Sequence, residues 1–293
     1  MHRGRLRISP LDLVVGGLLL LAGIYIAYRI TAGMQYNWSW GTIPQYLFRH
    51  DPERGWVPNL LIQGFFTTIR LSVWGTVLAL LIGTVMGLFR VARRPFFRLI
   101  GGIYVGVIRN LPPLVLIFIG YYFISSQLMP LLGIESRVRN APDWAQSALS
   151  ALVTDPRHLT AFLSALVTLA LFEGAYITEI VRSGIQSVER GQLEAASALG
   201  FNRFQRMRHV ILPQAARIAL PPLAGQFIST IKDSAIVSVI SIQDLTFQGM
   251  ELMAATYLTF EVWITVTALY LVLTLTCSLA VERLELRMGR RPA

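Results

Sequence analysis

Six apolar runs, separated by short polar segments, divide the chain of 293 residues. A helix needs roughly 18 to 20 largely apolar residues to cross about 30 Å of hydrocarbon, and each run reaches that length. The pattern predicts membrane-spanning helices at residues 13–30, 60–89, 99–126, 159–182, 214–240 and 260–281. The chain is therefore predicted to be an all-α integral membrane protein.

The distribution of charge predicts the orientation in the membrane. The formal net charge is +10, and the basic residues cluster between the apolar runs instead of forming one face, which argues against a nucleic-acid-binding protein. With both termini in the cytoplasm, seventeen arginines lie inside and six outside. Cytoplasmic loops are enriched in Lys and Arg. We therefore predict a multi-pass protein of the bacterial inner membrane with both termini cytoplasmic.

The N-terminal run stands apart from the others. Residues 1–57 comprise a basic leader, an extra membrane helix and a connection predicted to face the periplasm, and residues 58–293 comprise the core. The run at 13–30 is also similar to a secretory signal. It is long for a signal, and the residues after it offer a poor cleavage site. We interpret it as a retained helix, with cleavage as the alternative.

Motifs that would carry chemistry are scarce. Cys277 is the single cysteine and the four histidines are scattered, so we predict no metal site, catalytic residue or cofactor. Lys232, the only lysine, follows Ile231, so the glycine-rich phosphate loop of ATPases is absent. Ser229 and Lys232 fit a Ser-x-x-Lys enzyme motif, but its companion motifs are missing. An intramembrane enzyme and an ion-coupled secondary transporter are the alternatives from other classes, and the transporter lacks the expected paired repeats.

The connection at residues 186–213 is too polar to span the membrane and too apolar for a plain linker. Its pattern predicts two short helices, at 192–199 and 203–211. Gly200 follows the first helix, where a left-handed residue would turn the chain sharply. Small alanine side chains on this helix would let another protein approach closely. The segment is therefore predicted to contact a partner.

Four motifs resemble the permease subunits of ATP-binding-cassette (ABC) importers in the polar amino-acid branch. The strongest lies in the loop, where Glu194-Ala195-Ala196, Gly200, Val210, Leu212 and Pro213 have the family's spacing. The other three are Arg109-Asn110-Leu111-Pro112, Ala175-Tyr176-Ile177-Thr178-Glu179 and Lys232-Asp233-Ser234. The resemblance covers roughly residues 58–285.

The resemblance implies a type I importer permease, with a five-helix core preceded by one extra helix. It implies that a polar amino acid, with acidic or amide side chains favoured and basic ones as the alternative, crosses by alternating access. It implies two cytoplasmic ATP-binding subunits, a second permease that is identical or homologous, and a periplasmic substrate-binding protein. The residues expected to contact the ATPase are Glu194, Ala195, Ala196, Gly200, Phe204, Leu212 and Pro213.

Ionisable groups at membrane depth usually face a cavity or one another. The residues expected to bind substrate are Glu179, Tyr176, Glu173, Arg109, Asp233 and Ser234. Tyr176 and Glu179 share a helix face at i,i+3 spacing, so Glu179 would accept the α-ammonium group; pairing with Arg182 is the alternative.

Two of these positions leave alternatives open. Arg109 either meets a substrate carboxylate or satisfies backbone freed by Pro112 and Pro113. Glu173 departs from the family and would favour a cationic or zwitterionic solute if it lines the cavity. It would be structural if it points to a neighbouring helix.

Overall fold

The computed structural model describes residues 10–33 and 36–288, which fall into two compact units, Met1–Trp40 and Gly41–Ala293. The first unit contains α1, at Pro10–Gly33, at the predicted extra helix. This helix is 24 residues long. The basic leader, residues 1–9, lies outside the described residues.

The rest of the chain is almost wholly helical. In order, its helices are α2 Ile43–Leu47, α3 Leu60–Arg90, α4 Pro95–Asn110, α5 Pro113–Phe123, α6 Met129–Leu132, α7 Ile134–Arg139, α8 Asp143–Leu152, α9 Leu159–Gln186, α10 Arg190–Ala198, α11 Arg203–Arg206, α12 Leu212–Asp233, α13 Leu245–Thr256 and α14 Thr259–Met288. Short 3-10 turns occupy Trp40–Thr42, Pro156–His158 and Ser234–Ile240, and π turns occupy Ile124–Leu128 and Met207–Ile211.

Five helical segments are long and apolar enough to cross a membrane, which confirms the predicted five-helix core. They are Leu60–Arg90, Pro113–Leu132, Pro156–Gln186, Arg203–Ile240 and Thr259–Arg283. The predicted boundaries of the third span, 99–126, were wrong. Proline has no backbone N–H and disfavours helical conformation in the residue before it. Pro112 and Pro113 therefore separate α4 from α5, and the spanning segment runs on to Leu132.

Small residues let α3 lie close against α9. A Cβ atom added at Gly83 would lie 2.5 Å from Ile177, and one added at Gly87 would lie 2.7 Å from Val181. Without a hydrophobic driving force between helices in lipid, close van der Waals packing of this kind holds membrane helices together. A buried cluster completes the centre of the bundle with Leu71, Ile117, Phe162, Leu169 and Val237.

A β-hairpin departs from the all-α prediction. β1, Phe48–Asp51, pairs antiparallel with β2, Gly55–Pro58. The Asp51 carboxylate accepts hydrogen bonds from the backbone N–H groups of Glu53 and Arg54, at 2.9 and 3.0 Å, and these bonds hold the pKa of Asp51 below its usual value. Gly55 adopts φ +71°, which glycine tolerates without strain. The sequence predicts a connection that faces the periplasm here, and its pattern indicates no strands.

Candidate functional site

A cleft of about 400 Å³ opens between α9 and α12. Tyr176 and Glu179 reach it from α9, and Arg109 reaches it from the last turn of α4. The structure therefore brings together three of the residues that were expected to bind substrate. The opposite wall comes from α12 and includes Ile218, Ala219, Pro222 and Gln226.

Arg109 is held over an aromatic ring. Its guanidinium carbon lies 5.2 Å from the centroid of the Tyr176 ring, in a cation–π arrangement. The neighbouring Asn110 side chain donates to the backbone carbonyl of Gly106 at 2.7 Å and so holds the end of α4. Arg109 remains exposed at the cleft, where its planar group can meet a carboxylate in bidentate fashion.

The Glu179 carboxylate is compensated by two arginines. Arg182 Nε donates to Glu179 Oε2 at 2.8 Å, and Arg90 Nε lies 3.3 Å from Oε1. The alternative pairing with Arg182 is therefore present, and Arg90 joins it from the end of α3. Glu179 lines the cleft already neutralised, so a substrate ammonium group would compete with two guanidinium groups for it.

Glu173 faces the neighbouring helix α12 instead of lining the cleft. It is fully buried, and its Oε2 accepts a hydrogen bond from Gln226 Nε2 at 2.7 Å. Its Oε1 has no hydrogen-bond partner, and the Asp233 carboxyl is among its neighbours. Gln226 also lines the cleft, so its side chain connects the buried Glu173 carboxyl group to the cleft. Sequence analysis missed Gln226, which shows only as one polar residue in an apolar run.

The α-helical geometry of the fifth span ends at Asp233, within the motif Lys232-Asp233-Ser234. There α12 ends and the 3-10 turn Ser234–Ile240 begins. Ser234 is buried, and its hydroxyl donates to the backbone carbonyl of Ile231 at 2.8 Å, with Ser72 Oγ 3.4 Å away. Ser234 therefore packs against α3 and does not line the cleft, whereas Lys232 and Asp233 are exposed.

The connecting loop forms a second, separate surface. α10 covers most of the predicted helix at 192–199, and Gly200 follows with φ +79°. Phe201 N–H donates to Ala196 carbonyl and Gly200 N–H to Ser197 carbonyl, both at 3.0 Å. This is the Schellman arrangement, in which a left-handed residue satisfies the last carbonyls of a helix. The prediction for Gly200 is confirmed.

Hydrogen bonds fix the second half of the loop against the first. Asn202 and Gln205 form a reciprocal capping box at the start of α11, with distances of 2.8 and 2.9 Å. Arg206 Nη1 donates to Ser197 Oγ of α10 at 2.6 Å. The loop is therefore a defined surface before any partner arrives.

Apolar side chains stand exposed on this surface. Leu199 is 77% exposed and Phe204 is 70% exposed. The other residues expected to contact the ATPase are also exposed, except Ala196, which is buried beneath them; they are Glu194, Ala195, Gly200, Leu212 and Pro213. Sequence analysis missed Leu199, because an isolated leucine at a helix end is also typical of a buried contact.

Comparison with known proteins decides the family. Residues 75–290 match the family described as "binding-protein-dependent transport system inner membrane component". The chain belongs to this family.

Curated relatives of the permease are amino-acid transport subunits. This chain is 34% identical over 257 residues to the glutamine transport system permease protein GlnP of Escherichia coli K12. The alignment covers 87% of this chain and 99% of GlnP. The chain is 32% identical over 241 residues to the glutamate/aspartate import permease protein GltJ of the same organism, covering 82% and 90%.

Solved structures agree with this assignment. A crystal structure of an amino-acid ABC transporter with histidines matches with a TM-score of 0.61 at 34% identity, covering 78% of the permease and 94% of that chain. The inward-facing MetNI methionine ABC transporter matches with a TM-score of 0.58 at 20% identity, covering 79% and 97%, and supports the fold alone. The permease is thus a multi-pass membrane subunit of an amino-acid ABC importer, with the type I fold, and is not itself an enzyme.

Proposed function

We propose that the permease passes an acidic or amide amino acid through the cleft at Arg109, Tyr176 and Glu179. The observation that carries this proposal is the exposed Arg109 guanidinium held over Tyr176, because it offers a fixed partner for a carboxylate. Glutamine and glutamate/aspartate permeases among its relatives support the same substrate class.

The test is uptake into vesicles that contain the complete importer, with labelled glutamine and with unlabelled glutamate, aspartate, arginine and lysine as competitors. Arg109→Lys keeps the charge but loses bidentate geometry, so we expect uptake to fall by about tenfold or more. Arg98→Lys, at an exposed position early in the same helix, is the matched control. Full uptake by the Arg109→Lys variant would remove the proposed role of Arg109.

In this proposal the loop surface transmits ATP hydrolysis. Each of two ATP-binding subunits receives one loop, through Glu194, Ala195, Gly200, Leu199 and Phe204. Two loops require two permease chains, identical or homologous. The arginine-rich end would then be cytoplasmic, together with both termini, and a substrate-binding protein would deliver the amino acid at the opposite, periplasmic face of the inner membrane.

Glu173 favours a second candidate, a basic amino acid. Its buried carboxylate has an oxygen without a hydrogen-bond partner and lies next to Asp233. Glu173 does not line the cleft, so a substrate ammonium or guanidinium group could reach it only if the Gln226 side chain, which lies between them, moved aside. Strong competition by arginine or lysine in the uptake assay would select this candidate.

A further inference from the structure

The hairpin carries an aromatic face that the protein leaves uncovered. Alternate residues of a strand point to the same side, and His50 pairs directly with Trp56 across the hairpin. Their rings meet edge to face, with centroids 5.6 Å apart. Phe48 lies on the same face. Trp56 is 74% exposed and Phe48 is 45% exposed, so this face presents large rings to the surroundings.

The base of the hairpin is tied to the start of a membrane span. Asn59 N–H donates to Leu47 carbonyl at 2.9 Å, and its side chain donates to Gln45 carbonyl at 2.6 Å. Gln63, in the first turn of α3, donates to Pro58 carbonyl at 2.9 Å. These bonds join both ends of the hairpin to α3, so the hairpin stays next to the end of the span.

The length of α3 places that end in the headgroup layer. Its 31 residues extend about 46 Å at 1.5 Å per residue, whereas the hydrocarbon layer is about 30 Å thick. Centred in the bilayer and tilted by the usual ~20°, α3 would project about 7 Å beyond the hydrocarbon at each end, into the lipid headgroups. Trp56 precedes the start of α3 by only four residues.

We propose that the face formed by Phe48, His50 and Trp56 docks on the lipid headgroup layer and holds the start of α3 at a fixed depth. Aromatic side chains with one polar edge are enriched at this level of the bilayer. The first two turns of α3, which follow the hairpin directly, also expose the large apolar side chains of Leu60 and Phe66. A soluble protein partner would instead have to enter the headgroup layer to cover the same rings.

The test compares two neighbouring exposed positions on opposite faces of β1. His50→Cys lies on the aromatic face, and Arg49→Cys lies on the other face. Each is made in the full chain with Cys277→Ser, labelled with the same fluorophore, and placed in vesicles of phosphatidylethanolamine and phosphatidylglycerol. Two quenchers are compared. A lipid with a nitroxide on its headgroup quenches labels in the headgroup layer, and iodide quenches labels exposed to water.

We expect the lipid quencher to reduce emission at position 50 about twofold more than at position 49, and iodide to show the opposite order. Equal quenching at the two positions would overturn the proposal. Protection of position 50 that appears only after the substrate-binding protein is added would also overturn it and assign the face to that protein. Trp56→Ser, with the label at position 50, should remove the difference if the ring holds the face in the lipid.

Discussion

Arg90, at the end of α3, forms an ion pair with Glu179 of α9, although the two residues are far apart in the sequence. Arg90 Nε lies 3.3 Å from Glu179 Oε1, and Glu179 Oε2 also pairs with Arg182. The three side chains are partly buried, with 30% of each arginine and 19% of the glutamate side chain exposed. The Glu179 carboxylate, which lines the cleft, therefore also links α3 to α9.

We expect Glu179→Gln to destabilise the purified permease more than Arg90→Gln. Removing the carboxylate leaves two guanidinium groups without a counter-charge, whereas removing Arg90 leaves Glu179 paired with Arg182. The measurement is the midpoint of thermal unfolding in detergent. Arg139→Gln is the control, because its pair with Glu135 is about three-quarters exposed and such pairs contribute little. A Glu179→Gln shift no larger than that of the control would contradict the prediction.

Gly200→Val should uncouple transport without blocking membrane insertion. A Cβ at Gly200 would meet nothing within 4 Å, so the cost comes from φ +79° alone, about 1 to 3 kcal/mol. We expect loss of substrate-stimulated ATP hydrolysis in the reconstituted importer, together with loss of uptake. Gly200→Asn is the matched variant, because asparagine tolerates the left-handed region and should retain most activity. Full stimulated hydrolysis by Gly200→Val would exclude the loop as the coupling element.

Phe204 should act as an anchor for the ATP-binding subunit. An exposed aromatic ring on a preformed surface is typical of a binding hot spot, and its truncation costs about 2 kcal/mol or more. We expect Phe204→Ala to reduce the amount of ATP-binding subunit that co-purifies with the permease about tenfold or more. Trp144→Ala, which removes a similarly exposed ring on α8, should leave co-purification unchanged. Equal recovery with both variants would assign the anchor elsewhere.

Glu173→Gln separates the two candidate substrate classes. The glutamine side chain keeps the shape of Glu173 and removes the second carboxyl group beside Asp233. If the substrate is acidic or amide, as we expect, glutamine uptake should stay within about twofold, because no positive charge has to be matched. Glu173→Asp is the comparison variant, because it keeps a carboxyl group on a shorter side chain. Selective loss of arginine or lysine uptake in the Gln variant would move the assignment to the basic class.

Gly83→Val tests the close contact between α3 and α9. The first added carbon would lie 2.5 Å from Ile177, so the helices must separate, at about 1 to 3 kcal/mol. We expect a lower midpoint of thermal unfolding and a lower yield of folded protein. Gly106→Ala is the control, because nothing lies within 4 Å of its added carbon and alanine favours helix. A stable Gly83→Val variant would show that this interface is loosely packed.

Local patterns were enough to predict the spanning segments and the left-handed turn. Apolar length identifies a span, and Gly200 after a short helix indicates a cap, because both depend on residues near one another in sequence. The split between α4 and α5 also depends on neighbouring residues, Pro112 and Pro113, but the predicted third span ran across it. The hairpin was not predicted: Asp51-Pro52 and Gly55 favour a turn, but strands of four residues are too short for a clear alternating pattern.

The contacts of the cleft could be predicted only in part. Tyr176 and Glu179 share one helix, so their spacing already places them together. Arg90 and Gln226 come from other helices, and only the packing of α3 and α12 against α9 brings them to Glu179 and Glu173. Side-chain type alone shows that a buried charge needs a partner and leaves the identity of the partner open.

The prolines within α12 give this helix a flexible joint, in addition to the change to a 3-10 turn after Asp233. Pro221 and Pro222 interrupt the hydrogen bonds of α12, and Pro222 lines the cleft. The loop surface and this joint are about 15 Å apart along the helix, with the stiff first turns of α12 between them. Movement of the loop surface would therefore bend α12 at the prolines, next to the cleft. Access to the cleft would change there without any sliding of the buried interface between α3 and α9.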